Sequence, residues 1–209
     1  MSKNMSVAFL FFVLLYMAGV FYAVELLWLL KIIPIAILGS GVLRTEPSST
    51  RTILLFALLL SGCGDLLLAF DKFIYGVAAF LIAQLSYALI FKSYWKGIHN
   101  RWPITLLLLI YMIAMAWLLI PNLGELKAPV MAYLIVIAAM GLLAVHSSLP
   151  ARWAVLGVMV FILSDSFIAV NKFLYPLPFE SYWIMSTYYG AQFMLVTGLL
   201  KAVKMNGYE

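Results

Sequence analysis

Charged side chains are scarce in this chain: Asp, Glu, Lys and Arg make up only 10% of its 209 residues. A water-soluble domain carries roughly a quarter of its residues as charges, because its surface has to be wetted. With 66% hydrophobic residues and a mean hydropathy of +1.09, the chain has too few charges to cover a globule in water. Lipid is the expected solvent. Cysteine is nearly absent: Cys63 stands alone, so no intrachain disulfide can form and the redox compartment is not encoded. Histidine is limited to His99 and His146, both near the cytoplasmic ends of apolar stretches, and there is no HExxH motif. This argues against a zinc hydrolase of ordinary ligation and leaves no histidine placed as base for Ser/His/Asp catalysis. No metal or cofactor is expected. The formal net charge of +5 comes without a basic tract or Arg-rich arm, so nucleic acid is not an expected partner. Cationic loops that set membrane topology account for the excess.

Long apolar runs fill the rest. A span needs about 20 apolar residues to cross the hydrocarbon, so about eight spans account for most of the chain and leave no room for a soluble domain. They are placed near 6–24, 27–43, 53–70, 73–93, 103–120, 128–146, 152–171 and 181–203. The first stretch, from Val7 to Val24, lacks a small-x-small cleavage site and runs into another apolar stretch, so it reads as a span rather than a signal peptide. The expected fold is all-α: one polytopic transmembrane domain over residues 1–209. Lys3, Arg44, Arg51, Lys92, Lys96, Arg101, Arg152, Lys201 and Lys204 fall on one side, and Lys31, Lys72, Lys127 and Lys172 on the other. That bias places both termini in the cytoplasm and demands an even number of spans.

An internal repeat carries more information. Residues 61–75 read SGCGDLLLAFDKFIY and residues 161–175 read FILSDSFIAVNKFLY. Without a gap, Asp65 aligns with Asp165, Asp71 with Asn171, Lys72 with Lys172 and Tyr75 with Tyr175. Apolar matches are cheap in a membrane protein, but matched acid, lysine and tyrosine are not. The offset is four spans, so the chain reads as two parallel four-helix repeats, roughly 1–100 and 101–209, related by a pseudo-two-fold axis along the membrane normal.

Counted from Ile53 and Trp153, near the cytoplasmic starts of their spans, Asp65 and Asp165 each lie about 18 Å into their helix. The expectation is that they face a shared intramembrane site. A carboxylate at that depth is costly unless paired, hydrated or protonated, which makes it a functional candidate. The plainer reading is that each aspartate closes a polar contact between helices, with Ser61 or Ser164. Gln84 and Gln192 lie about 16 Å from the outer ends of the following spans, and Tyr87 and Tyr188 share their helix faces. Tyr75, Tyr175 and Tyr182 suit an interfacial belt instead. Lys31 opens the second span above Pro34. It reads either as a lysine snorkelling to the headgroups, or as a phosphate contact or counter-charge to the aspartates. Two neighbouring carboxyls in low dielectric do not both ionise, which leaves one as an acid and the other as a base or cation stabiliser.

The motifs Lys31–Pro34, Gly64–Asp65, Phe80–Gln84–Tyr87, Pro129–Tyr133, Ser164–Asp165–Ile168–Ala169 and Tyr188–Tyr189–Ala191–Gln192, taken in order, resemble the YhhN-like lysoplasmalogenases over nearly the whole chain. Gln84 departs from the pattern, which has histidine there in many members, so its role stays open. The resemblance implies hydrolysis of the vinyl ether bond of a lysoplasmalogen to a fatty aldehyde and a glycerophospho-alcohol. Its two acidic positions map onto Asp65 and Asp165. The implied substrate is a lysophospholipid entering sideways from the bilayer. The compact chain without tails fits a bacterial inner membrane, with an endomembrane the alternative. Lys31, Gln84, Tyr87, Tyr133, Ser164, Tyr188 and Gln192 are the candidates for holding glycerol oxygens or phosphate. Two rival classes remain at this point. A proton-coupled transporter also fits parallel repeats with buried carboxylates, although Gly and Pro breaks do not recur at matching positions. A lipid-binding membrane protein without turnover is the third reading.

Overall fold

The computed structural model describes residues 2–98 and 101–206, with side chains described as far as residue 202. His99 and the side chain of Lys204 lie outside the described residues. Among them are eight α-helices: α1 Lys3–Phe21, α2 Leu27–Leu43, α3 Ser49–Ala69, α4 Phe73–Ser93, α5 Trp102–Leu119, α6 Lys127–Val145, α7 Ala154–Phe173 and α8 Glu180–Asn206. Two 3-10 turns, Ile120–Asn122 and Gly124–Leu126, join α5 to α6. Every helix matches its predicted span to within four residues. Six of the eight are long and apolar enough on their own to cross a membrane, and α2 is a shorter apolar helix of 17 residues. Only 17% of the apolar stretch of α1 is buried within the protein, and Phe11, Leu14, Ile113 and Trp117 lie outward. Apolar helices left this uncovered need lipid around them. The chain is an integral membrane protein.

Local chemistry sets the boundaries. Ser48 caps α3 by accepting from the Arg51 N–H at 3.1 Å, and this starts the helix four residues before the expected Ile53. At the other end, Asp71 takes a left-handed conformation (φ +58°). The Lys72 N–H reaches the Leu67 carbonyl at 2.8 Å and the Asp71 N–H the Leu68 carbonyl at 3.2 Å, the paired bonds of a Schellman cap. Ala23 (φ +51°) closes α1 the same way, with the Val24 N–H on the Gly19 carbonyl at 3.0 Å, so α1 stops three residues short of the expected Val24. In the repeat, Asn171 behaves differently from Asp71. It stays inside α7, and its side-chain Oδ1 accepts from the Leu177 N–H at 2.8 Å, so α7 runs two residues further, to Phe173.

The chain divides into two compact units, residues 1–90 with 195–209, and residues 91–194. The end of α8 groups with the first unit. In the first unit α2 packs against both α1 and α3. The approach of α4 to α3 depends on small residues. A Cβ on Gly64 would sit 2.6 Å from Cδ2 of the buried Phe80, and one on Gly76 would sit 2.7 Å from Leu68 Cδ2. In the second unit α5, α6 and α7 pack mutually around Met115, Leu119, Leu123 and Val130. One end of this unit is pinned by backbone and side-chain bonds. Trp95 bridges Ser147, the Ser148 N–H donates to the Tyr94 carbonyl at 2.8 Å, and the Arg101 guanidinium donates to the Val145 carbonyl at 2.9 Å. His146, buried at this C-terminus of α6, contacts Thr105 Oγ1 through Nε2 at 2.8 Å.

Candidate active site

Within the first unit, α3 carries Asp65 and α2 supplies its partner. Gly64 lets the α3 backbone close on the Phe80 ring, and the next residue, Asp65, is 2% exposed. Lys31 Nζ stands 3.7 Å from Asp65 Oδ1, with the lysine side chain 14% exposed. Of the readings open for Lys31, this geometry realises the counter-charge: the ammonium turns into the protein onto a carboxylate. Neither charge is tolerable alone in so little water, and the pair offsets much of the desolvation of each. Tyr16 of α1, also buried, interacts electrostatically with Asp65. Gln84 and Tyr87 lie one turn apart on α4, both with no exposed surface.

Within the second unit, α7 carries Asp165 and again the preceding helix supplies a partner. The Tyr133 hydroxyl of α6 donates to Asp165 Oδ2 at 2.6 Å, within the range of an O–H donor on a carboxylate. Asp165 is half-buried, less enclosed than Asp65. Its neighbours in sequence are tied down. Ser164, fully buried, donates to the Ile184 carbonyl of α8 at 2.9 Å, and Ser166 donates to Ile162 O at 2.7 Å while accepting from the Tyr111 hydroxyl at 2.7 Å. Ser164 therefore joins α7 to the start of α8. Tyr188 stacks edge-on to Phe161 with centroids 5.9 Å apart, and Gln192, one turn along α8, is fully buried.

Each unit thus pairs an aspartate on its third helix with a side chain from its second, whereas the first-helix tyrosines differ, Tyr16 interacting with Asp65 and Tyr111 bonding Ser166. The distances along the chain are similar, 34 residues from Lys31 to Asp65 and 32 from Tyr133 to Asp165. Tyr16 and Tyr111 are the members that sequence reasoning overlooked. Each is the one tyrosine of its helix, with apolar residues on both sides of it, and that isolation was the available signal. His146 lies 13 residues along α6 from Tyr133, about 20 Å by helical rise.

A model of the YhhN family matches residues 26–199. The lysoplasmalogenase TMEM86A of Bos taurus is 31% identical over 177 residues, covering 78% of this chain and 71% of the relative. The lysoplasmalogenase TMEM86B of Mus musculus is 33% identical over 177 residues, covering 83% and 75%. A lysoplasmalogenase of Mycobacterium bovis is 33% identical over 128 residues, covering 56% of this chain and 49% of its own. No solved structure matches the chain. With the family match spanning most of its helices, this chain belongs to the YhhN family.

Proposed function

We propose that the chain is a lysoplasmalogenase, hydrolysing the vinyl ether bond of lysoplasmenylethanolamine or lysoplasmenylcholine drawn from the bilayer. The observation that carries this reading is the similarity, over 78–83% of the chain, to mammalian proteins bearing that name. The residue chemistry supports it. Vinyl ether hydrolysis begins with a proton added to the carbon β to the oxygen, which leaves an oxocarbenium ion. Water adds at the cationic carbon, and the resulting hemiacetal collapses to aldehyde and alcohol. The reaction consumes one water and needs a carboxylic acid, a carboxylate that stabilises the cation and accepts a proton from water, and nothing redox-active. Asp65 and Asp165 supply these two carboxyl groups. Gln84, Tyr87, Tyr188 and Gln192 hold the glycerol and phosphate oxygens, and Lys31 acts through Asp65.

The proposed setting is a single transmembrane domain of two four-helix repeats in a bacterial inner membrane, with both termini cytoplasmic. The lysine and arginine bias of nine against four supports that orientation.

The deciding experiment measures fatty aldehyde release from lysoplasmenylethanolamine by purified protein, with and without EDTA, beside Asp65→Asn and Asp165→Asn. Turnover that survives the chelator and drops at least about a thousandfold in each variant is the expected result. Wild-type turnover in either variant removes that aspartate from the chemistry. A folded wild-type protein that releases no aldehyde, but moves substrate into sealed proteoliposomes, favours the carrier reading instead.

A further inference from the structure

Three of the 19 residues of α1 are buried: Phe9, Tyr16 and Gly19. Tyr16 is the polar one among them, a phenol 4% exposed in a helix otherwise turned mostly outward. We infer that Tyr16 is a positioning residue of the Asp65 site, a third side chain set from α1 against the Lys31–Asp65 pair. The inference rests on the lysoplasmalogenase reading and deepens it at the same aspartate. The span matched to the YhhN family begins at residue 26, after the end of α1, so that match assigns nothing to Tyr16.

Helix packing places the phenol there. α1 and α2 pack on each other and are joined by the short segment 22–26, so they run antiparallel as a helical hairpin. Gly19 marks a close approach: a Cβ there would stand 3.0 Å from Leu27 Cδ1 and 3.2 Å from Leu30 Cδ1. One turn back from Gly19 along α1 is Tyr16, and one turn forward from Leu27 along α2 is Lys31. Each stays on the face that makes the close approach. Tyr16 and Lys31 therefore stand at one level of the α1–α2 seam, and Lys31 Nζ reaches Asp65 Oδ1 at 3.7 Å. Tyr16 itself interacts electrostatically with Asp65. Three consecutive helices thus bring a phenol, an ammonium and a carboxylate into one cluster.

A phenol held there does two things. Its ring fills the seam between the charge pair and the lipid that surrounds the outward face of α1, where Leu10, Phe11 and Leu14 are exposed. Its hydroxyl adds a dipole beside a carboxylate in a site with little water, where it counts for more than it would in solvent. A dipole already in place stabilises a reacting group without reorganising during the reaction. Loss of such a group lowers kcat, whereas loss of a contact made equally in ground and transition states raises KM.

The test is Tyr16→Phe in the full chain, which keeps the ring and deletes the hydroxyl. Aldehyde release should show kcat reduced about tenfold, the scale of one polar contact to a charged group, with KM within about twofold of wild type. Unchanged kcat, or a raised KM alone, overturns the inference. Tyr16→Leu removes ring and hydroxyl together. If it loses turnover while Tyr16→Phe matches wild type, Tyr16 only fills space and the inference falls. Two readouts do not need turnover. Melting shifts of Tyr16→Phe and Asp65→Asn should be non-additive in the double variant, and the infrared carboxyl band lost in Asp65→Asn should shift in Tyr16→Phe. Additive melts with the band left in place overturn the contact. Wild-type protein inactive on vinyl ethers would sink the lysoplasmalogenase reading, while melts and infrared would still decide whether Tyr16 belongs to the Asp65 cluster.

Discussion

Lys31 on α2 and Asp65 on α3 face each other at 3.7 Å, Nζ to Oδ1, with side chains 14% and 3% exposed. Breaking such a pair from one side leaves an uncompensated charge in a site with little water, at a cost of roughly 3–5 kcal/mol. Lys31→Met is therefore expected to lower the melting temperature in detergent and to abolish most turnover. Lys31→Met combined with Asp65→Asn removes both charges and should melt closer to wild type than Lys31→Met alone, while staying inactive. Equal melting temperatures for Lys31→Met and wild type would mean that the lysine is solvated rather than paired.

The glycine before Asp65 has a steric reason. A Cβ at Gly64 would press to 2.6 and 2.7 Å on the Phe80 ring, and a buried aromatic ring has little room to move. Gly64→Ala is expected to destabilise by about 1–3 kcal/mol through overpacking, and to recover much of that in combination with Phe80→Leu. Gly39→Ala in α2 is the control: nothing lies within 4 Å of its Cβ, so the substitution should be neutral or slightly stabilising through helix propensity. Thermal melts of the three variants settle the point. A Gly64→Ala protein as stable as wild type would show that α3 and α4 can separate without penalty.

Asp71 and Asn171 align in the repeat, yet their responses to glycine should have opposite signs. Asp71 is left-handed at φ +58° in the cap of α3, a conformation glycine adopts freely, so Asp71→Gly is expected to stabilise by up to about 1 kcal/mol. Asn171 is helical and accepts from the Leu177 N–H. Asn171→Gly loses that bond and adds a helix-interior glycine, a loss of about 1–2 kcal/mol. Melting temperatures that move in the same direction for both would contradict the two different ends of α3 and α7.

Tyr111 bonds the residue that follows Asp165. Its hydroxyl donates to Ser166, which has a second bond to the Ile162 carbonyl, so no polar group is orphaned when it goes. Tyr111→Phe should cost about 1 kcal/mol of stability and leave aldehyde release within about threefold of wild type. A loss of turnover approaching that of Asp165→Asn would move Tyr111 into the catalytic surroundings.

Much of this protein was legible before any coordinates. Eight helices follow from apolar run length, because in lipid only a helix satisfies its own backbone within one segment, and that requirement leaves the chain few options. Asp65 and Asp165 stood out because polar residues are costly in such helices, and each lies on the third long helix of its compact unit. Boundaries were less legible. The start of α3 at Ser49 and the ends of α1 and α3 were set by caps, where one serine or one left-handed residue decides a few residues either way.

The sequence by itself determined the solvent, the helices and the two acids, since these depend on hydrophobicity and on order along the chain. Only the tertiary structure decided what each acid touches. Before α2 packed on α3 and α6 on α7, Lys31 read first as a headgroup anchor and Tyr133 as a substrate contact. The choice depends on helix rotation and on a few ångströms of side-chain reach, to Asp65 from an ammonium at 3.7 Å and to Asp165 from a phenol at 2.6 Å. Neither quantity is carried by residue type or spacing, because each is fixed by how the surrounding apolar side chains fill space.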